Sequence, residues 1–269
     1  MKEIIRKQPI LCSVAAAFIM ASLILPAQLL ISPSVSEATW LLWDSAMRVI
    51  LTIPSVLLLG YILQSDGFRF AFNTKGFLKG MFACAAIFLL IVEMILRIFN
   101  MSEMNLDYIP KIPAVIAQQI TTGLYEETVF RGLFMTAMLV RWSATAKGRA
   151  MVVLISGFVF GAAHLVNIFN SEDVAGILRW SLNTCMMGIG FSAVYLYAKN
   201  LMSCMLIHAL NNIAAHLSSL IAADSENTLR PILNVAWPIL MYAAIPLFAL
   251  FLCVKAKPFV LEERRRCLS

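Results

Sequence analysis

Charge is what this chain lacks most. Only 13% of its 269 residues are Asp, Glu, Lys or Arg, and it has just three histidines, whereas about a quarter of a soluble domain is charged. With 61% hydrophobic residues and a mean hydropathy of +0.83, this scarcity excludes an ordinary water-soluble enzyme. Long polar stretches are also missing: the longest connections, about 65–77 and 99–112, are too short to fold separately. There is no low-complexity segment and no internal repeat, which leaves a single integral membrane domain over 1–269. The six cysteines, Cys12, Cys84, Cys185, Cys204, Cys253 and Cys267, have no paired metal spacing and read as thiols packing like small hydrophobes. No basic stretch is interleaved with aromatics, so the net charge of +6 points to anionic lipid and topology, with no nucleic acid partner.

What the chain does contain is a series of apolar runs. A bilayer core of about 30 Å needs about 20 apolar residues per helix, and eight runs qualify: 10–31, 42–64, 78–98, 113–140, 150–169, 174–198, 200–222 and 232–254. The expected fold class is all-α, a polytopic transmembrane helical bundle of about eight spans. Pro26, Pro54, Pro238 and Pro246 fall within these runs, where neighbouring helices can satisfy the freed backbone groups. The first run follows Lys2, Arg6 and Lys7 and reads as a retained helix rather than a cleaved leader, because seven more follow. The tail "RRRCLS" leaves two residues after Cys267, too few for a prenylation box.

Lysine and arginine set the expected orientation. With a cytoplasmic N-terminus, one side collects Lys2, Arg6, Lys7, Arg69, Lys75, Lys79, Arg141, Lys147, Arg149, Lys199, Lys255, Lys257, Arg264, Arg265 and Arg266. The other receives Arg97, Lys111 and Arg230, a ratio of fifteen to three. By the positive-inside rule both termini are then cytoplasmic.

Ionisable side chains within a span are costly and mark function by default. In "TGLYEETVFRG", Glu127 and Arg131 are four residues apart and share a helix face, close enough to pair. Glu126 points about 100° away and has no opposite charge on its own helix. In "SGFVFGAAHLVN", Phe160 precedes His164 by four residues, and Gly157, Gly161, Ala162 and Ala163 form a small-residue surface suited to close helix packing. In "CMLIHALNNIAAH", His208 and Asn212 share a face, with Asn211 adjacent and His216 a turn beyond. His216 reads as structural, as do the four-residue pairs Glu93 with Arg97 and Asp44 with Arg48. At 1.5 Å per residue, Glu126 and His164 lie about 21 Å from the cytoplasmic ends of their helices, His208 about 12 Å and Asn212 about 18 Å.

Three helices thus bring a carboxylate, two imidazoles and a carboxamide to overlapping depths. Glu126 with His164 can hold and deprotonate a water, while His208 and Asn212 can donate to an oxyanion. Glu126, Glu127, His164 and His208 would also suit zinc. There is no HExxH motif, and residue type does not choose between metal-bound and metal-free water.

"EETVFR" (Glu126 to Arg131), "FGAAH" (Phe160 to His164) and "HALNN" (His208 to Asn212) resemble, in order, the motifs EExxxR, FxxxH and HxxxN/D of the CAAX protease and bacteriocin-processing family, also called the Abi family. The resemblant core spans about 121–216. The resemblance implies a helical intramembrane endopeptidase related to type II CAAX prenyl endopeptidases. It implies Glu126 as the water-activating carboxylate, assisted by His164, an oxyanion site of His208 and Asn212, and Glu127, Arg131 and Phe160 in support. The name metalloprotease is attached to such proteins on motif grounds. The expected partners are a membrane-associated peptide or protein substrate and the lipid bilayer, in a bacterial plasma membrane. The expected roles are peptide maturation, CAAX-like processing or bacteriocin self-immunity. The alternatives are a non-catalytic binding or immunity protein on the same scaffold and a small proton-coupled transporter.

Overall fold

The computed structural model describes residues 8–31, 34–63, 66–99, 106–221 and 230–259, and among them every regular element is a helix. The first half comprises α1 (Pro9–Leu29), α2 (Glu37–Leu63), the short α3 (Gly67–Ala71), α4 (Phe77–Ala83) and α5 (Ala85–Phe99). A 3₁₀ turn, Leu106–Lys111, leads into α6 (Ile112–Glu127), which continues through a π-helical segment, Thr128–Met135, into α7 (Thr136–Trp142). Next come α8 (Ala146–Ala163), a 3₁₀ segment His164–Asn170, α9 (Val174–Ala198) and α10 (Leu201–Ile221). The last described elements are α11 (Arg230–Ile239), a second π segment Leu240–Ala244, and α12 (Ile245–Lys255).

Each expected apolar run coincides with a helix or a pair of helices, but not all of them qualify as spans on length and apolarity. Among the described residues three stretches do, Glu37–Leu63, Ala146–Phe169 and Asn234–Lys255, and a fourth joins them if Phe77–Ala83 and Ala85–Leu96, bent by 62°, count as one span. The helices that fall short include those carrying the candidate chemistry. Gln118, Gln119, Glu126 and Glu127 dilute α6, and His208, Asn211, Asn212 and His216 dilute α10. Many outer faces remain apolar: Phe18, Leu57, Phe82, Phe99 and Leu247 are each more than half exposed, a pattern suited to lipid contact.

At the centre, α6 lies between α2 and α10, while α8 packs on α9, α9 on α12, and α1 on α2 and the first π segment. The small-residue surface of α8 explains how closely it meets α9. A Cβ at Gly157 would fall 2.4 Å from Ile189 Cγ1, and one at Gly161 would fall 2.1 Å from Cys185 Sγ and 2.7 Å from the Ser181 carbonyl oxygen. Ser181 Oγ uses this approach to donate to the Gly161 carbonyl at 2.8 Å.

One end of the bundle is laced by side chains bonding to backbone carbonyls of other segments. Asn200 Nδ2 donates to Asn73 and Lys75, Lys79 Nζ to Tyr197, Lys199 Nζ to Pro258, and Arg149 to Cys253 and Ser143. Lys75, Lys79, Arg149 and Lys199 therefore meet at one end, whereas Lys111 pairs with Glu37 at the other, at 2.5 Å. Of the expected Glu93 and Arg97 pair, Glu93 is buried and the side chain of Arg97 lies outside the described residues, as does Cys267.

Gly161→Ala should push α8 from α9 and cost about 1–3 kcal/mol, the usual size of an overpacking penalty. Thermal unfolding of the full chain in detergent micelles measures it as a lowered Tm.

Candidate active site

Glu126 and Glu127 are the last two residues of α6, immediately before the π segment. Such widened turns occur mostly as single-turn bulges inside α-helices, frequently at functional sites. Here the Arg131 carbonyl is served by Thr136, five residues on, through both its backbone N–H and its Oγ1 at 2.8 Å. Thr136 Oγ1 also shares a hydrogen bond with the Tyr195 hydroxyl at 2.7 Å, which ties the wide turn to α9.

Glu127 and Arg131 are wholly buried and pair as expected, with Nη1 2.8 Å from Oε1. Arg131 Nη2 donates to the Gly188 carbonyl on α9 at 3.1 Å. Its guanidinium carbon stands 4.4 Å from the Phe160 ring centre and 5.4 Å from that of Phe191, contacts in which an aromatic quadrupole favours the cation. A third group joins the pair: His208 Nδ1 is 2.7 Å from the same Glu127 Oε1, and its ring stacks on Phe191 at 4.9 Å. Glu127 therefore braces His208 as well as Arg131.

A cavity of about 1020 Å³ opens beside this knot, and Glu126, His164, His208 and Asn212 all line it, with Asn211, His216 and Trp180. Phe160 is in the wall; Glu127 and Arg131 are behind it. Glu126 has no opposite charge on its own helix, and the one it meets comes from Arg48 of α2, whose Nη1 is 3.4 Å from Glu126 Oε1. The reading of Asp44 with Arg48 as only a helix-end pair is corrected by the same contact, since Arg48 lines the cavity. His216, read as structural, also faces the cavity, as does Trp180, whose ring meets that of His164 edge to face at 5.1 Å.

The hydrogen bonds fix how each imidazole is presented. His164 caps α8, and its Nδ1 is 2.9 Å from the Phe160 carbonyl oxygen. A carbonyl only accepts, so Nδ1 carries the hydrogen and Nε2 of the neutral ring is an acceptor. The same argument applies to His208, where Nδ1 donates to a carboxylate and Nε2 is 3.8 Å from Glu126 Oε2. His208 can donate to an oxyanion through Nε2 only as the doubly protonated ring, whereas the Asn212 amide has donors in either case. The zinc set Glu126, Glu127, His164 and His208 does not converge: among the described residues no three His, Cys, Asp or Glu side chains gather to hold a metal. Glu127 is already committed to Arg131 and His208 Nδ1.

A sequence signal for the missed contact exists in hindsight. Gln118, Thr122 and Glu126 recur every four residues, forming a polar stripe along one face of α6, and such a stripe needs polar groups opposite. Asp44 is that partner for Gln118, accepting from its Nε2 at 3.0 Å.

Arg131→Met should leave Glu127 as an uncompensated buried charge and cost about 3–5 kcal/mol. Adding Glu127→Gln in the same chain should recover part of that loss, a non-additivity read from denaturant unfolding of the two single variants and the double variant.

Residues 108–214 match the family model described as type II CAAX prenyl endopeptidase Rce1-like. Searches of curated proteins and of solved structures found no match. The matched segment contains all three motifs, and over it the chain is similar to the CAAX protease and bacteriocin-processing family.

Proposed function

We propose that this protein is an intramembrane endopeptidase that hydrolyses peptide bonds of membrane-associated proteins or peptides with water activated by Glu126 and His164. The observation that carries the reading is that Glu126, His164, His208 and Asn212, contributed by three helices, line one cavity while the neighbouring ion pair stays behind its wall. The cavity is at the upper end of the range of about 300–1,000 Å³ common for small-molecule sites, which suits a segment of peptide. Its lining is mainly apolar, with Phe18, Met94, Phe130, Phe134 and Met187 among the residues, which suits a substrate arriving from lipid.

In the proposed reaction, water donates one hydrogen bond to a Glu126 oxygen and the other to His164 Nε2. Glu126 takes a proton as the water oxygen attacks the carbonyl carbon, and the carbonyl π electrons move to oxygen. Asn212 donates to that oxyanion, joined by His208 when its ring is doubly protonated. The C–N bond then breaks, and the proton held by Glu126 passes to the leaving amine. In this scheme Glu127 and Arg131 hold His208, and Phe160 packs His164 and Arg131 together. No step passes through a metal.

The proposed topology has both termini in the cytoplasm of a bacterial cell, with eight spans in the plasma membrane. The proposed roles are peptide maturation, CAAX-like processing or bacteriocin self-immunity.

Glu126→Gln and His164→Ala should each lower peptide cleavage by about 100- to 10,000-fold, the usual worth of a general acid or base. The measurement is mass spectrometry of membrane peptides that accumulate in cells carrying each folded variant. Normal processing in both variants would overturn the proposal, and immunity preserved by a folded Glu126→Gln protein would favour a binding protein on this scaffold.

A further inference from the structure

Arg48 lies on α2, sixty residues before the start of the family match at residue 108. As a helix-to-helix tie between α2 and α6 it would need only Asp44 and Gln118. Asp44 is wholly buried and accepts from Arg48 Nε at 2.7 Å and from Gln118 Nε2 at 3.0 Å. Gln118 Oε1 in turn accepts from Gln119 Nε2 at 2.8 Å. This chain fixes the guanidinium from behind.

The forward side of Arg48 is less easily explained by packing. The side chain remains 12% exposed on the cavity, and its Nη1 meets Glu126, itself 16% exposed, at 3.4 Å. The two adjacent carboxylates thus have separate guanidinium partners of different kinds. Arg131 holds Glu127 at 2.8 Å in full burial, a locked contact. Arg48 stands off Glu126 by a longer one, which steadies the carboxylate while leaving its oxygens able to meet another group.

We propose that Arg48, aimed by Asp44, is a positioning residue for Glu126, holding its carboxylate against the cavity wall in the orientation that meets water and substrate. The inference rests on the reading of Glu126 as the water-activating group. It extends the working site to α2, a part of the chain outside the family match.

The test uses the full chain in proteoliposomes with an internally quenched fluorogenic peptide library, comparing wild type with Arg48→Met, Arg48→Lys, Asp44→Asn and Glu126→Gln. Arg48→Met should lower kcat about 100-fold, the loss that a misplacement of about 1 Å brings, with KM nearly unchanged. Arg48→Lys should restore part of kcat, and Asp44→Asn should give a smaller loss than Arg48→Met. Wild-type kcat in Arg48→Met beside an inactive Glu126→Gln would overturn this inference and leave the proposed function standing. Full activity in Glu126→Gln would overturn both. A second measurement needs no substrate: labelling of Glu126 by a membrane-permeant carbodiimide, read by peptide mass spectrometry with Glu126→Gln as the blank. Labelling should rise several-fold in Arg48→Met and less in Arg48→Lys, and equal labelling in all three proteins would overturn the proposal.

Discussion

One carboxylate oxygen, Oε1 of Glu127, organises the centre of this molecule. It accepts from Arg131 and from His208, and Arg131 reaches on to the Gly188 carbonyl. A single buried charge thereby joins α6 with its π continuation, α9 and α10. Where water is excluded, such a charge is tolerated only when its partners are held in good geometry. The surrounding packing supplies that geometry: Phe160 and Phe191 enclose the guanidinium, and Phe191 also supports the imidazole face. The helix carrying Glu126 is thus anchored by the residue next to it, and the cavity wall inherits its rigidity from charges that do not line it.

Two kinds of close contact make this possible. Where α8 meets α9, backbones approach because Gly157 and Gly161 have no side chain to keep them apart, which brings Phe160 and His164 alongside α9. Where α6 meets α10, Gly123 plays the same part: a Cβ there would lie 2.8 Å from the Met205 carbonyl oxygen. Small residues set the distances between helices, and polar residues use those distances.

Much of this was legible in the sequence, for identifiable reasons. Apolar runs and the four-residue spacing of Glu127 with Arg131 and of Phe160 with His164 are properties of single helices, so periodicity reveals them. Relations between helices are a different matter. Nothing local in "WDSAMR" shows that Arg48 turns toward Glu126, seventy-eight positions later. Nothing local in "CMLIHALNN" shows that His208 directs Nδ1 to Glu127 and Nε2 toward Glu126. The same polar residues that reveal the site also lower the apolarity of α6 and α10, which is why those helices read less clearly as spans.

The π segment has a consequence for how this protein can change. One additional residue in a turn displaces every later side chain by about 100° around the axis, so the faces before and after Thr128–Met135 are set independently. Glu126, Phe130 and Phe134 face the cavity, whereas Thr136 bonds to Tyr195. Loss of one residue in this stretch would let it relax to an ordinary α-helical turn, with the halves on either side keeping their packed faces. The segment is thus a phase adjuster between two halves of one helix, and variation can accumulate beyond it without disturbing the carboxylates before it.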